Sequence, residues 1–589
     1  MICKKSISKV NLFVNKEFTK FQKNFRSKQD SDMKRIEGID NMQRKEILIF
    51  NPYAIWSYHL AIDLEIIKKH LDAGDSITVL TCNEDLSSCI INPLHDLLTC
   101  QICIAGRTQG FKLLGFTNDV KFLNVVSLSQ NDEQLLATFP KYVSNLRELK
   151  SLNIESFDIG LCVAGDLITY LREPYPNPKK HKEFVKNNIE SSLKIYLSIK
   201  NHIRKIKPDK IYVFNGRFGA VRPVIRAAQL LSVDFDVHER AQVQGKYSLV
   251  NGTYPHDLSI VKSVITSSWA NSNLKETDKI EMASQWFTER KSGKDQAWYS
   301  FTQSQNEIPD FINKDKINVI IFNSSQDEFE TIEGWENHLY KSQNQGIFKL
   351  AHALQNDKSI DVYLRIHPNL RHVDNSQTKP LSRLKNRYQN FHIIDADSPV
   401  NSYELMDIAD CIITFGSTMG IEAAFFKKPS LLVGRSSYEH LDACTIIQSH
   451  QELLDVIMNK KFGLPDEIKD RRKYNASKYG FYMKTDGINL EIFKQDGVNR
   501  MIFKDGKSLD EFPSQLQIIL YQVQQTQSQL QQTQDEHQKL QVEYHNLTQL
   551  AQQALIELSS VKSSKFWRMR QVWFKLKEVF RLTIKKQIR

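Results

Sequence analysis

The chain has no apolar run approaching the roughly 18 residues that a membrane-spanning helix requires, so its body is not expected to sit within a bilayer. Its opening segment, MICKKSISKVNLFVNKEFTK, lacks the continuous apolar core and small-residue cleavage site of a secretory leader. The expectation is a protein made and kept in the cytoplasm. Cysteine is also scarce, with eight in 589 residues, too few and too irregular for a disulfide framework, which fits a reducing compartment. Cys82, Cys89, Cys100 and Cys103 crowd together, but they form one tight C-x-x-C pair where a four-thiolate zinc site uses two. Free buried thiols are expected there over a zinc site, and no cofactor is implied.

Most of the chain also lacks excess positive charge, although the net charge is +11. Residues 1–35 carry ten Lys and Arg against three acids, residues 565–589 carry nine against Glu578 alone, and the body between them is left at −4. An enzyme that reads a nucleic acid carries its basic surface on the folded domain. Charge confined to the two ends argues against nucleic acid and for an anionic lipid surface.

A hydrophobic content of 41% over 589 residues fits two large domains with appendages. From Lys45, EILIFNP, SYHLAIDLEIIKKHLDAG and SITVLTC read as strand, helix and strand. FDIGLCVAG reads as a further strand, Lys182–Lys207 as a long helix, and DKIYVFNGR, AVRPVIRAAQLL and VDFDVHER as strand, helix and strand. Val261–Phe311 reads as a helical connection. A second series opens at INVIIFNSS and runs through IDVYLRIHP, NFHIIDA, DCIITFG and PSLLVG, with helices at GIFKLAHALQ, SYELMDIA and IEAAFFKK. The expected fold class is α/β, with two tandem Rossmann-like doubly wound domains, whose strand C-terminal ends meet across a cleft.

The expected divisions are a basic tail at 1–43, a first domain at 44–312, a second at 313–512, a coiled coil at 513–562 and a basic amphipathic helix at 563–589. The coil rests on a 3-4 spaced seam running from Leu516, Ile519 and Val523 through Leu540, Tyr544 and Leu547 to Leu558 and Val561, which implies a homo-oligomer. In the terminal helix, Phe566, Met569, Trp573, Leu576, Phe580 and Ile584 share a face opposite Lys and Arg, which suits an interfacial position at the inner face of the plasma membrane.

Chemistry-bearing residues gather where predicted strands end. Arg365 and His367 close an apolar strand just before Pro368 and suit a diphosphate or a proton transfer. Asn323, Ser324 and Ser325 end another strand ahead of an expected helix, whose free amides would hold phosphate. Gly416, Ser417, Thr418 and Gly420 form a tight turn at a helix start, with Glu422 one turn inside, placed to accept from a ribose or sugar hydroxyl. In the first domain, Asn215 and Arg217 end one strand and His238, Glu239 and Arg240 end another. Trp56 and His59 stand at a strand-to-helix junction on the same acceptor side. Glu239 is the candidate general base.

With RIHPN, NSSQDE, FNGR and YELMDIADCIITFGSTMGIEAAFFKKPSLLVG assembled, residues 45–513 resemble bacterial capsule and surface-polysaccharide glycosyltransferases of the GT-B type. The second half is also similar in layout to CDP-glycerol glycerophosphotransferases and UDP-N-acetylglucosamine 2-epimerases. SSKFWRMRQVWFKLK looks like the tail of many cyanobacterial glycosyltransferases. The resemblance implies a metal-independent transferase, with a nucleotide-sugar donor in the second domain and a glycan or lipid-linked acceptor in the first. In it Arg365, His367, Ser417 and Thr418 would neutralise the leaving diphosphate. Two departures stand out: Ser430 occupies the place of the second acid of an E-x7-E donor signature, and Ala423 replaces the second acid of the epimerase motif. The alternatives are an epimerase, a glycerophosphotransferase-like polymer enzyme and a non-catalytic assembly scaffold.

Overall fold

The computed structural model describes residues 44–115, 120–294, 305–385, 387–497 and 500–509, together with part of 533–578. The basic segment 1–43 lies outside them. In chain order the described strands are β1 (Glu46–Asn51), β2 (Ser76–Thr81), β3 (Val120–Asn124), β4 (Lys210–Phe214), β5 (Asp234–Arg240), β6 (Lys246–Asn251), β7 (Ile317–Phe322), β8 (Ile360–Arg365), β9 (Phe391–Ile394), β10 (Cys411–Thr414), β11 (Ser430–Leu432), β12 (Thr445–Ile446), β13 (Ile488–Asn489), β14 (Phe493–Gln495) and β15 (Met501–Phe503).

These strands make two main sheets and a hairpin. The first sheet has the order β13-β6-β5-β4-β1-β2-β3, and the second has the order β12-β11-β10-β7-β8-β9. The second sheet is parallel throughout, and the first is parallel from β5 to β3, with β6 and β13 added antiparallel. The strands are apolar runs because helices cover both faces. All six residues of β8 are buried, as are the last five of β1 and β7. In each sheet the chain builds outward in one direction from its first strand and then returns to build in the other. The reversals fall between β1 and β4 and between β7 and β10, the positions where doubly wound sheets open a crevice beyond their strand ends.

FDIGLCVAG, expected as a strand, is the start of helix Ile159–Leu171. The helix is buried on nearly every side, so its sequence is apolar all round and imitates a buried strand. Gly160 allows its approach to the preceding segment, since a Cβ there would lie 1.7 Å from the Leu149 carbonyl oxygen. Helices Leu258–Ala270 and Glu276–Lys291 occupy the expected connection.

The C-terminal part of this body returns to the first sheet. After helix Asp466–Thr485, β13 pairs with β6, and the β14–β15 hairpin docks on helix Ser57–Asp72. There the buried Glu65 carboxylate accepts the backbone N–H groups of Glu491 and Ile492 at 2.8 and 3.1 Å. Leu490, Phe493, Met501 and Phe503 share a core with Ile49, Tyr58 and Leu60. Residues 488–509, read from sequence as part of the second domain, thus complete the core of the first lobe.

Residues 512–589 form a separate compact unit. Its described residues are helical, and Leu540, Tyr544, Leu547, Trp573 and Leu576 are exposed on it. Seam positions Leu516 to Leu530 and Ala551 to Val561, and Phe566, Phe580 and Ile584 of the terminal face, lie outside the described residues. Among the described residues no helix is long and apolar enough to cross a membrane.

Candidate active site

The reversal point of the second sheet holds a small polar cavity of about 80 Å³. Asn323 enters it from the end of β7, Arg365 and His367 from β8, and Ser417 and Thr418 from β10, with Arg290 and Tyr403 opposite. Asn323 is 1% exposed. Its Oδ1 accepts the His367 backbone N–H at 2.8 Å, while its Nδ2 has no hydrogen-bond acceptor among the described residues. Arg365 donates Nη2 to the Ser398 carbonyl at 3.0 Å and Nη1 to the Asp395 carbonyl, so part of its guanidinium folds the loop beyond β9. Its buried Nε also lacks an acceptor among the described residues. Burial, and then Arg371, lower its pKa to about 10, which leaves it charged at neutral pH. His367 accepts the Asn369 N–H at Nδ1, at 3.1 Å, so the neutral ring carries its proton on Nε2. Burial, and then Arg365 and Arg172, pull its pKa down to about 4. At neutral pH it is an uncharged donor.

Three expectations for this region need correction. Glu422 is fully buried, accepts from the Tyr403 hydroxyl, and lies 3.3 Å from Arg290 Nη2. It anchors two side chains of the cavity wall and does not face a ribose, because the first turn of helix Met419–Phe425 points into the interior. No helix begins at Asn323–Ser325. A short 3-10 turn spans Gln326–Glu328, and the next α-helix starts at Gln343. Ser324 bonds Gln343 and Gln377, and Ser325 donates to Asp327 at 2.9 Å. Gly420 is a packing position, where a Cβ would meet the Tyr438 hydroxyl at 2.5 Å. Gly416 is different: it holds a left-handed φ of +107°, and a Cβ would strike the Arg435 carbonyl oxygen at 2.4 Å, so only glycine makes this turn. Gly416 and Ser324 line an adjoining cavity of about 200 Å³, walled by Phe329, Trp335, Tyr340 and Arg435.

On the first lobe, Glu239 and Arg240 open into a cleft of about 550 Å³. Asn215 sits in the left-handed region at φ 59°, and its Nδ2 lies 2.8 Å from Glu239 Oε2 and 2.9 Å from His256 Nε2. The Arg240 backbone N–H donates to Glu239 Oε1 at 3.0 Å, and His59 Nε2 stands 3.8 Å from the same oxygen. Burial keeps His59 and His256 neutral, with His256 lowered to about 3. Trp56 and Phe214 pack on the His59 ring, whose centroid lies 3.8 Å from that of Phe214, and Tyr53 packs on both Trp56 and Phe214. The Arg240 guanidinium sits over the Tyr58 ring.

His238, expected beside Glu239 at the cleft, is fully buried and lies 2.8 Å from Asp63 Oδ1. Successive residues of a strand point to opposite faces, so Glu239 at the cleft sends His238 inward. Arg217 reaches the other lobe, donating to the Glu328 carbonyl at 3.1 Å.

No family model and no curated protein matches the chain. Similar solved structures exist. One is a beta Kdo 2,4 transferase, KpsC of Thermosulfurimonas dismutans, at 12% identity over 46% of this chain and 79% of that one, with a TM-score of 0.30. Another is the UDP-GlcNAc 2-epimerase of Neisseria meningitidis bound to UDP-GlcNAc, at 15% identity over 74% and 98%, with a TM-score of 0.26. A third is the calicheamicin glycosyltransferase CalG4, at 12% identity over 74% and 94%, with a TM-score of 0.25.

Several residues of the site carry no local sequence signal. Arg172, at the end of helix Ile159–Leu171, donates to Asp327, Ser325 and the Asn369 carbonyl of the second lobe. Trp335 donates its ring N–H to the His256 carbonyl at 2.9 Å and stacks on Phe329 with centroids 4.6 Å apart. These two rings line both the 200 Å³ and the 550 Å³ cavities and so stand between them. Chemically, the arrangement sets buried donors in the small cavity of the second sheet and, in the separate 550 Å³ cleft, a carboxylate hydrogen-bonded by Asn215 and the Arg240 amide, with the Arg217 cation nearby. Cys82, Cys89, Cys100 and Cys103 lie apart from it as free thiols whose pKa values burial raises.

Proposed function

We propose that the protein transfers a sugar from a nucleotide-sugar donor to a hydroxyl of a surface or capsular glycan, free or lipid-linked, within a two-domain fold of the GT-B type. The observation that carries this reading is the 80 Å³ cavity lined by Asn323 and Arg365, whose buried Nδ2 and Nε have no protein acceptor among the described residues. Leaving buried donors unmade is costly, and the oxygens of a diphosphate would satisfy them.

In this reading Arg365 supplies fixed charge to the leaving diphosphate, neutral His367 donates from Nε2, and the Ser417 and Thr418 hydroxyls complete the contact. As the anomeric carbon bonds to the acceptor oxygen, its bond to the diphosphate oxygen breaks and that electron pair leaves with the diphosphate. The acceptor proton passes to Glu239, which Asn215 and the Arg240 amide hold in place. The basic ends of the chain support a position at the cytoplasmic face of the plasma membrane, with residues 513–562 joining copies of the chain.

The test is a panel of CMP-, CDP-, UDP- and GDP-sugars incubated with and without polysaccharide acceptors. One nucleoside diphosphate sugar should raise Tm by mass action and release its nucleoside diphosphate only with an acceptor, and the CMP-sugars should do neither. Conversion of the donor to a new sugar without any acceptor overturns it.

A further inference from the structure

Resting on that reading, we infer that the acceptor carries an aliphatic chain, and that the 550 Å³ cleft holds this chain and the reactive hydroxyl end to end. The cleft lining is polar at Glu239, Arg240 and His256 around the base, and also at Gln242, Ser248, Ser437 and Asp486. Another part is aliphatic. Val250 on β6, Ile260, Val261 and Val264 on helix Leu258–Ala270, and Ile488 on β13 supply it from three separate elements.

Val261 and Val264 pack in part against the core beneath helix Leu258–Ala270. Val250, Ile260, Val261 and Val264 are only half-buried, and Ile488 is 42% exposed, so apolar surface stays open along the cleft. A wall of valine and isoleucine offers no hydrogen bond to a sugar ring, and a purely saccharide acceptor would desolvate its hydroxyls against it. An alkyl chain gains from the same contact, at about 0.8 kcal/mol for each methylene removed from water. The cleft lies in the size range of small-molecule sites, and an apolar wall beside polar groups matches an amphiphile with a hydroxylated head.

The wall depends on the return of the chain. Ile488 reaches the cleft because β13 pairs with β6, and Tyr479 and Tyr482 complete the lining from helix Asp466–Thr485. The aliphatic subsite is thus assembled from residues far apart in sequence beside the candidate base.

The test titrates the full chain, saturated with the nucleoside diphosphate that raises its Tm most, with n-butyl, n-hexyl and n-octyl β-D-glucoside below their micelle-forming concentrations. The expected result is a rise in affinity of about fourfold per added methylene. In V261N/V264N that slope flattens, while the nucleotide Tm shift stays at its wild-type value. Should that variant fail to fold, as judged by circular dichroism, I260N/I488S at the outer wall takes its place. Affinity independent of chain length, an unchanged slope in the folded variant, or tighter binding of an alkyl-free oligosaccharide overturns the inference. If no nucleotide shifts Tm, the donor reading fails, and the same titration without nucleotide still decides the alkyl subsite by its slope.

Discussion

Arg172 and Asp327 join the two lobes, with the guanidinium Nε 2.5 Å from Oδ2. Asp327 is nearly sealed from solvent, while Arg172 is 40% exposed. Arg172 holds a left-handed φ of 52° at the end of its helix, and the next residue, Glu173, accepts the Ser376 N–H at 2.8 Å. Two consecutive side chains of the first lobe therefore grip the loops after β7 and β8, beside His367.

Arg172→Ala is expected to loosen this grip and leave Asp327 buried without its cation. Because Arg172 is partly solvated, the coupling in a double-mutant cycle with Asp327→Asn should be about 1 kcal/mol. Small-angle scattering should show a larger radius of gyration for Arg172→Ala than for wild type. An unchanged radius with zero coupling energy would mean that the pair is incidental.

Asn323→Asp preserves the oxygen that accepts the His367 N–H and replaces the unpartnered Nδ2 with a negative oxygen. The fold should survive, and nucleoside diphosphate affinity should drop at least about tenfold, or 1.4 kcal/mol. Calorimetric titration reads this directly, and undiminished affinity would place the diphosphate elsewhere.

Glu239→Gln keeps the size of the side chain and removes its basicity. Acceptor-dependent turnover should fall about 100-fold or more with donor binding unaltered, as expected for loss of a general base. Retained turnover would reassign the base.

Three of the buried groups illustrate the pH dependence of stability. His367 and His256 titrate at about 4 and about 3, below the usual 6.5, because burial disfavours their charged forms. Their contribution is whole above pH 6.5 and is lost as pH falls toward 4 and then 3. Asp166, sealed in the first lobe with the Gly219 N–H 3.1 Å from both of its oxygens, is raised by burial to about 7. Its contribution has the opposite sign: it is whole below pH 3.8 and is lost as pH rises through 7. Chemical denaturation across pH 4 to 9 should show a maximum in between, and Asp166→Asn should remove the decline on the alkaline side. A decline that persists in Asp166→Asn would assign it to another group.

The strand ends were legible because each apolar run stops abruptly at a polar residue. Asn323, Arg365, His367, Ser417 and Thr418 came together for that reason. Glu239 lines the cleft, as its place at a strand end suggested, but its neighbour His238 does not, since strand alternation sends one of two adjacent residues away from it. Glu422 read as a ligand because a lone acid in an apolar helix is conspicuous, and the same buried position lets it hold Arg290 and Tyr403. Helix Ile159–Leu171 misled because a helix apolar on every face has no period to read. Arg172, His256 and Trp335 act only through partners distant in sequence, and residues 488–509 return to a sheet begun more than 400 residues earlier. No local pattern encodes such contacts.

The proposed function rests on the cavity between Asn323, Arg365 and His367 receiving the diphosphate of a nucleotide sugar. The most direct measurement is calorimetric titration of wild type and Asn323→Asp with CDP, UDP and GDP alongside the matching monophosphates. One diphosphate should bind wild type at 1:1 stoichiometry and more tightly than its monophosphate, and Asn323→Asp should erase this preference. Binding that ignores the second phosphate, or that is equal in the two proteins, would contradict it.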